Sequence, residues 1–553
     1  MRKHWKRYAA VCLAGGLVMT QTAGCKNNEN AESRAETAAD GGVTVTAQLG
    51  EDRTKTVRYL PEDLDAEWDA ETATGIVLAD SGVTVEGDGA REEGKTVVIE
   101  KDGTYVVSGE MEDGQIRIEA ADDAVIRLVL NGVRLSGKST APIYSPEKNK
   151  VILILAPGTV NAISDGTVYE YDTEDEDEPD APIFVKGDLT INGTGELQVQ
   201  GNYQSGIRSK GNLTVISGTI SVDAQDDGLK GKDSVVIRDG ELDIRSVKDG
   251  IKSNNDTDEE KGFIWIDGGR ITIAAQDDGI QAETALVVNG GEITITESQE
   301  GLAGRTVDVL GGQIRANASD DGINSAAQAE TEQEKMADQE GVYTRIAGGE
   351  IWLNASADGI DSNGDLLIAG GTLYLSGPTG NGDGILDYNG TGAITGGTVF
   401  AAGSAGMMQT FGDASTQNYL VVYYTETQKA GTQIRLLDES GNELGSYAPE
   451  KDYQAAIISS PDIRTGNTYQ VVTGEDTFEM TVSGIVTIYG TAPGGGAGRG
   501  PGGNGRGPGG DGREMGDKTD ERGGFGGDWP ERGEMPEPSG VEPPGAEPPA
   551  KND

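Results

Sequence analysis

Aliphatic residues fall into fixed columns along residues 128–412. The columns appear when the chain is aligned on Gly218, Gly240, Gly269, Gly291, Gly312, Gly349, Gly371 and Gly397. The residue three before each glycine is Val or Ile, from Val215 to Ile394. The residues two and four after it are aliphatic too, from Ile220 and Val222 to Val399 and Ala401. The positions between are mixed and mostly polar. This is alternation with a period of two, which predicts short strands with apolar residues inward and polar residues outward. Strands this short bury no core alone, but stacked repeats do. The expected fold is all-β: a right-handed parallel β-helix of about eleven coils, roughly 4.8 Å apart.

A second periodicity runs beside the first. Asp-Gly-Ile or a near variant begins at Asp227, Asp249, Asp278, Glu300, Asp321, Asp358 and Asp383, at intervals of 22, 29, 22, 21, 37 and 25 residues. Ala141-Pro142-Ile143, Ala181-Pro182-Ile183 and Ser205-Gly206-Ile207 fill the same slot upstream, and Ala405-Gly406-Met407 closes the series. Acidic insertions at 169–180, 254–260 and 326–340 leave the repeat, the last two lengthening the intervals of 29 and 37, and predict exposed loops.

The flanks read differently. Residues 1–25 combine Arg2, Lys3, Lys6 and Arg7 with an apolar run over 8–19 and small residues before Cys25. That is the layout of a lipoprotein signal with Cys25 as the lipidated residue, or of a plain secretory signal. Residues 26–74 are acidic and polar, as in a linker. Short runs over 75–127 predict an N-terminal β cap. Residues 413–492 predict a small antiparallel β domain over the open end of the coils. Residues 493–553, rich in Gly, Pro and charge, predict disorder.

Composition narrows the chemistry. The formal net charge is -49, which argues against nucleic acid and anionic membrane surfaces as partners. The single histidine is His4, and the cysteines are Cys12 and Cys25. Beyond the signal-like segment there is therefore no imidazole or thiol for Ser-His or Cys-His catalysis, His/Cys zinc sites or disulfides. A metal would have to be held by oxygen, which points to Ca2+.

The Asp-Gly-Ile column invites two readings. As turn chemistry, the glycine takes a positive φ and the acid caps its own turn. Yet stacked carboxylates repel by about 1–3.5 kcal/mol per neighbour. The doubled acids Asp226, Asp277 and Asp320 add to that cost. Calcium bridging successive coils would relieve it, with Asp226, Asp227, Asp249, Asp277, Asp278, Asp320, Asp321 and Asp358 as candidate ligands. Arg208, Lys230 and Lys252 follow the Ile column on three consecutive coils. They serve as charge balance, as a cationic strip for an acidic polysaccharide, or as a lyase base. Trp352, Tyr374 and Phe400 stack in one outward column. Trp352 and Tyr374 are candidates for sugar stacking or for packing under the C-terminal domain, and Trp265, on another outward column, is a lone sugar candidate.

Residues 75–490 resemble the clostridial carbohydrate-binding β-helix proteins. Leu130-Asn131-Gly132, Ala141-Pro142-Ile143-Tyr144, Leu189-Thr190-Ile191-Asn192-Gly193, Gly201-Asn202-Tyr203 and the Asp-Asp-Gly-Ile repeats carry the likeness. The resemblance implies a secreted, calcium-binding protein with a pectate-lyase-like fold that binds cellulose or polygalacturonate. The functional expectation is a monomeric, non-catalytic polysaccharide binder at the cell surface, touching the membrane only through a lipid anchor. The alternatives are a calcium-dependent pectate-type lyase and a purely structural calcium-stabilised protein.

Overall fold

A computed structural model describes residues 33–492, apart from 50–52, 172, 174–176 and 330. Cys25, the signal-like segment and the tail 493–553 lie outside the described residues. Among the described residues the α-helices are single turns, Pro61–Leu64 and Glu332–Lys335. Nearly everything else regular is strand, and 38 strands join one mainly parallel sheet.

Most of that sheet is built from strands recurring in threes. Ile207–Ser209, Asn212–Val215 and Thr219–Ala224 form one such set. Each pairs in parallel with its counterpart one repeat on: Ile207 opposite Leu229, Leu213 opposite Val235, Ile220 opposite Leu242. Three ladders result, here called short, middle and long after their strands, and each repeat contributes one rung to all three. Two repeats fuse the short and middle strands into Ile280–Val288 and Leu302–Val309.

The aliphatic columns face one continuous buried cluster running from Ile76 to Ile457. Each buried Val, Leu or Ile contributes about 1.5–3 kcal/mol, so the cluster is the principal source of cohesion. The two glycine columns do different jobs. The anchor glycines take positive φ, 124° at Gly218 and 125° at Gly240, which turns the chain into the long strand. The glycine of Asp-Gly-Ile does not take the positive φ that turn chemistry predicts. Its need is space: a Cβ at Gly228 would lie 2.4 Å from Ile244 and 2.6 Å from the Gly250 carbonyl.

Two expectations are corrected. Residues 26–74 are not simply a linker, because β1 (Arg34–Thr37), β2 (Val43–Leu49) and β3 (Arg53–Tyr59) form an antiparallel sheet. That sheet lays Val45, Ala47, Val57 and Tyr59 against Ile216, Val236, Trp265 and Val287 on the outward face of the middle ladder. Residues 75–127 do not stand apart, since Gly103–Glu112 pairs in parallel with Val125–Ser136 within the main sheet. At the other end of the ladders, Tyr453–Ser459 pairs antiparallel with Thr398–Gly403 and covers the last long-ladder edge. Beyond it lies a four-stranded sheet over Ile434–Leu437, Glu443–Tyr447, Thr468–Thr473 and Asp476–Thr481.

Candidate functional site

The acid column stands at the entry to the short ladder. From rung to rung, backbone bonds run Gly228 N–H to Asp249 C=O, Gly250 N–H to Asp278 C=O and Gly279 N–H to Glu300 C=O, each 2.9 Å. The carboxylates join the same register. Asp249 N–H donates to Asp227 Oδ1 at 3.2 Å, Asp278 N–H to Asp249 Oδ1 at 3.0 Å, and Glu300 N–H to Asp278 Oδ1 at 3.1 Å. Asp358 N–H repeats the bond to Asp321 Oδ1 at 2.8 Å. One oxygen of each aspartate thus caps the next rung, and the other is left for a cation.

The register moves one acid. Asp358 Oδ1 receives Gly384 N–H, and Leu386 rather than Ile385 pairs with Ile360. Gly384, not Asp383, therefore occupies the acid position of that rung. The polar insertion before it slides the chain by one residue, and the triplet at 383–385 matches the pattern out of register.

The preceding column is arranged to limit repulsion. Backbone bonds connect Gln204, Asp226 and Lys248, then Asp277, Gln299, Asp320 and Ala357. Acids take alternate rungs, so nearest neighbours in this column are never both charged negative. The doubling predicted at Asp226-Asp227, Asp277-Asp278 and Asp320-Asp321 concentrates charge on every second rung. Carboxylate oxygens of Asp249, Asp277 and Asp278 all lie within 4.8 Å of one another.

The adjoining basic column holds the expected register, Arg208 beside Lys230 and Lys230 beside Lys252. All three cations are engaged. Arg208 pairs with Asp180 and, at 3.7 Å, with Glu178. Lys230 meets Asp227 at 2.6 Å and Asp226 at 3.8 Å. Lys252 holds Asp249, whose side chain is 1% exposed. Burial, the largest single influence, draws the Lys252 pKa down, but the charge and hydrogen bond of Asp249 together with the charges of Asp227 and Asp277 raise it overall. Burial lowers that of Arg208.

Further along, the cations run out. The next members of the column are Gln281, Ala303, Asn324 and Asp361. Among the described residues, Asp278, Asp321, Asp358 and Asp361 have no ion-pair partner. Burial, then the charges of Glu300 and Asp249, push Asp278 up to about 8. Burial with Asp361 and Asp358 pushes Asp321 to about 8. Asp361 is raised to about 7 by burial and Asp358, and Asp358 to about 6 mainly by burial. These groups resist losing their protons unless positive charge arrives.

The aromatic candidates fare differently. Trp265 is buried beneath β2 and β3, its Nε1 donating to Asp267 at 2.8 Å, so it is closed to a glycan. Its column points away from the main core, but a second layer covers it. Trp352 stacks on Tyr374 with ring centroids 5.6 Å apart, and Tyr374 on Phe400 at 6.3 Å. The Arg315 guanidinium covers the other face of Trp352 at 3.6 Å. Both flat faces of Trp352 and Tyr374 are therefore occupied, and only ring edges remain for a sugar. The sequence reading missed a tyrosine group at the basic end of the strip. Tyr169 stacks on Tyr203 at 4.4 Å, and Tyr144 and Tyr171 pack partly exposed beside them. Tyr144 continues the basic column through Phe184 to Arg208, a link the insertion at 169–180 hides in the sequence.

Fold and site together define a mainly parallel, nearly all-β protein bearing a rung-matched ionic strip on one corner. Two overlapping stretches, residues 93–384 and 286–481, match the family described as carbohydrate-binding domain-containing protein, and the chain belongs to that family. A carbohydrate-binding domain-containing protein of Acetivibrio thermocellus is 37% identical over 137 residues, which are 25% of this chain and 48% of that protein. The match thus spans about half the relative's length. A solved polysaccharide lyase-like protein from C. thermocellum, a gadolinium derivative, is 32% identical with a TM-score of 0.39, covering 47% of this chain and 97% of its own.

Proposed function

We propose that this is a cell-surface polysaccharide-binding protein, wound as a right-handed parallel β-helix, that takes plant-type polysaccharide of the cellulose or polygalacturonate class with calcium. Family membership supports carbohydrate binding in general. The observation that carries the finer reading is the ionic strip, which repeats similar charged contacts from rung to rung along one axis. An extended acidic glycan has the matching repeat.

Asp249, Asp277 and Asp278 are the residues that would hold a calcium ion. Their donor set is all oxygen, as calcium prefers, and their oxygens already converge. Asp226, Asp227, Asp320, Asp321 and Asp358 extend the same chemistry along the column. Bound calcium would supply positive charge to join these carboxylates to those of an acidic glycan. The chain's own part is to hold the carboxylates in register and keep Arg208, Lys230 and Lys252 charged beside them. Cys25, if lipidated, would tether the protein to the outer face of the membrane as a monomer.

The second reading is a calcium-dependent pectate-type lyase, favoured by the lowered pKa of Arg208. Its ion pairs with Asp180 and Glu178 favour the charged form, so binding without cleavage is the better fit. The test is retention of the intact protein on insoluble polygalacturonate with calcium or EDTA, with product absorbance followed alongside. Calcium-dependent retention without unsaturated product supports the binder. Unsaturated product supports the lyase. Absence of retention on any polysaccharide, with calcium still raising the melting temperature, leaves a structural role.

A further inference from the structure

The outward face of the long ladder carries a groove that the ionic strip does not use. It has a volume of about 560 Å³ and crosses six successive rungs, from Gly103–Glu112 to Glu241–Ser246. Six rungs span roughly 24 Å. Its two outward columns are in strict register: Ala162 beside Gln198 and Gln198 beside Ser221; Ser136 beside Ser164, then Gln200, Asp223 and Arg245.

We propose that this groove is a second glycan site, taking an uncharged polysaccharide chain laid along the rungs. The inference rests on the carbohydrate-binding reading and gives the neutral ligand a place of its own, apart from the ionic strip. Three features carry it. The floor is low, because Ala162, Ser164 and Ser221 leave the sheet surface open between longer neighbours. Gln198, Gln200 and the serines each donate and accept hydrogen bonds, as sugar hydroxyls do, so either orientation of a diol finds a partner. The charges select against polyanions. Asp80, Glu110, Glu112 and Asp223 outnumber Arg134 and Arg245 in the lining. Arg134 already lies 3.9 Å from Glu110, and Arg245 3.5 Å from Asp243. A polyuronate is repelled here, whereas a neutral chain is not.

The turn after Thr74–Ala79 closes one end of the groove, with Asp80 accepting from Glu112 N–H at 2.9 Å. Toward the other end, the column continuing from Ser221 through Asp243 reaches Arg315 and the stacked Trp352. The groove lies on the long ladder and the strip on the short one. One molecule would then hold a neutral and an acidic polysaccharide at once.

The test uses the full protein with two probes, an insoluble neutral β-1,4-glucan and calcium-loaded polygalacturonate. The wild type should be retained by both, and retention on the glucan should persist in EDTA and in 0.5 M salt. Ser164→Glu with Ser221→Glu should lower retention on the glucan at least tenfold and leave retention on polygalacturonate unchanged. Gln198→Ala with Gln200→Ala, a milder pair that does not fill the groove, should weaken glucan retention severalfold with an unchanged melting temperature. Wild-type retention on polygalacturonate alone overturns the groove proposal and leaves the strip standing. Glucan retention unaffected by both pairs overturns it as well. Failure of the wild type on both probes overturns the carbohydrate reading itself.

Discussion

In EDTA this protein should lose stability as pH rises from 5 to 8, opposite to the usual behaviour of paired carboxylates. The cause is the uncompensated half of the acid column. Asp278 and Asp321 are pushed to about 8, Asp361 to about 7 and Asp358 to about 6, against 3.8 for an ordinary aspartate. A carboxyl whose folded pKa is raised holds its proton in the folded state and loses it on unfolding. Its contribution is complete below about pH 4 and is lost as pH climbs through the folded value. One such group changes stability by about 1.4 kcal/mol per pH unit, and two together by about 2.7. Sharing of protons between neighbouring rungs brings the expected slope to about 1–3 kcal/mol per pH unit between pH 5.5 and 7.5. The assay is the urea midpoint across that range in EDTA and again in millimolar calcium. The EDTA series should fall and the calcium series should flatten or rise, with Asp278→Asn plus Asp321→Asn flattening the EDTA series. An EDTA midpoint constant or rising with pH would refute the reasoning.

Other substitutions probe separate parts of the structure. Lys252→Ala strands the buried Asp249 carboxylate and should cost about 3 kcal/mol in urea unfolding, largely recovered in the Lys252→Ala, Asp249→Ala double variant. Trp265→Ala opens a cavity between β2, β3 and the middle ladder; it should cost about 3–5 kcal/mol and raise amide exchange over β1–β3 before the rest of the protein. Gly228→Ala sets a Cβ against the next rung and should destabilise by at least about 1–3 kcal/mol, measured by thermal melting with and without calcium. Trp352→Ala should lower the melting temperature yet leave polysaccharide retention unchanged, because neither ring face is open.

The core was legible because the columns of Val, Ile, Leu and Ala alternate with mostly polar positions along the repeats, and alternation alone decides which face is buried. The cation-bearing register of Arg208, Lys230 and Lys252 was legible for the same reason. What failed was anything set by a second layer. Val43, Val45, Ala47 and Leu49 alternate as cleanly as any core strand, but the surrounding acids drew the segment into a linker. Trp265 looked exposed because the sequence reports which side of a strand a residue takes, not what lies over it. Asp383 matched its motif but not its rung, since an insertion can change register by one residue without changing composition. The role of the Asp-Gly glycine also lay in three dimensions, in the approach of the next rung rather than in its own φ.

We propose that the carboxylates around Asp249, Asp277 and Asp278 form a calcium site serving an acidic glycan. Calorimetric titration of the purified protein with calcium, and then with a polygalacturonate oligomer, tests it most directly. Calcium heat should be strongly reduced in the Asp249, Asp277, Asp278→Asn variant, and the oligomer should bind only after calcium is present. Unchanged calcium binding in that variant, or oligomer binding of equal strength in EDTA, would contradict it.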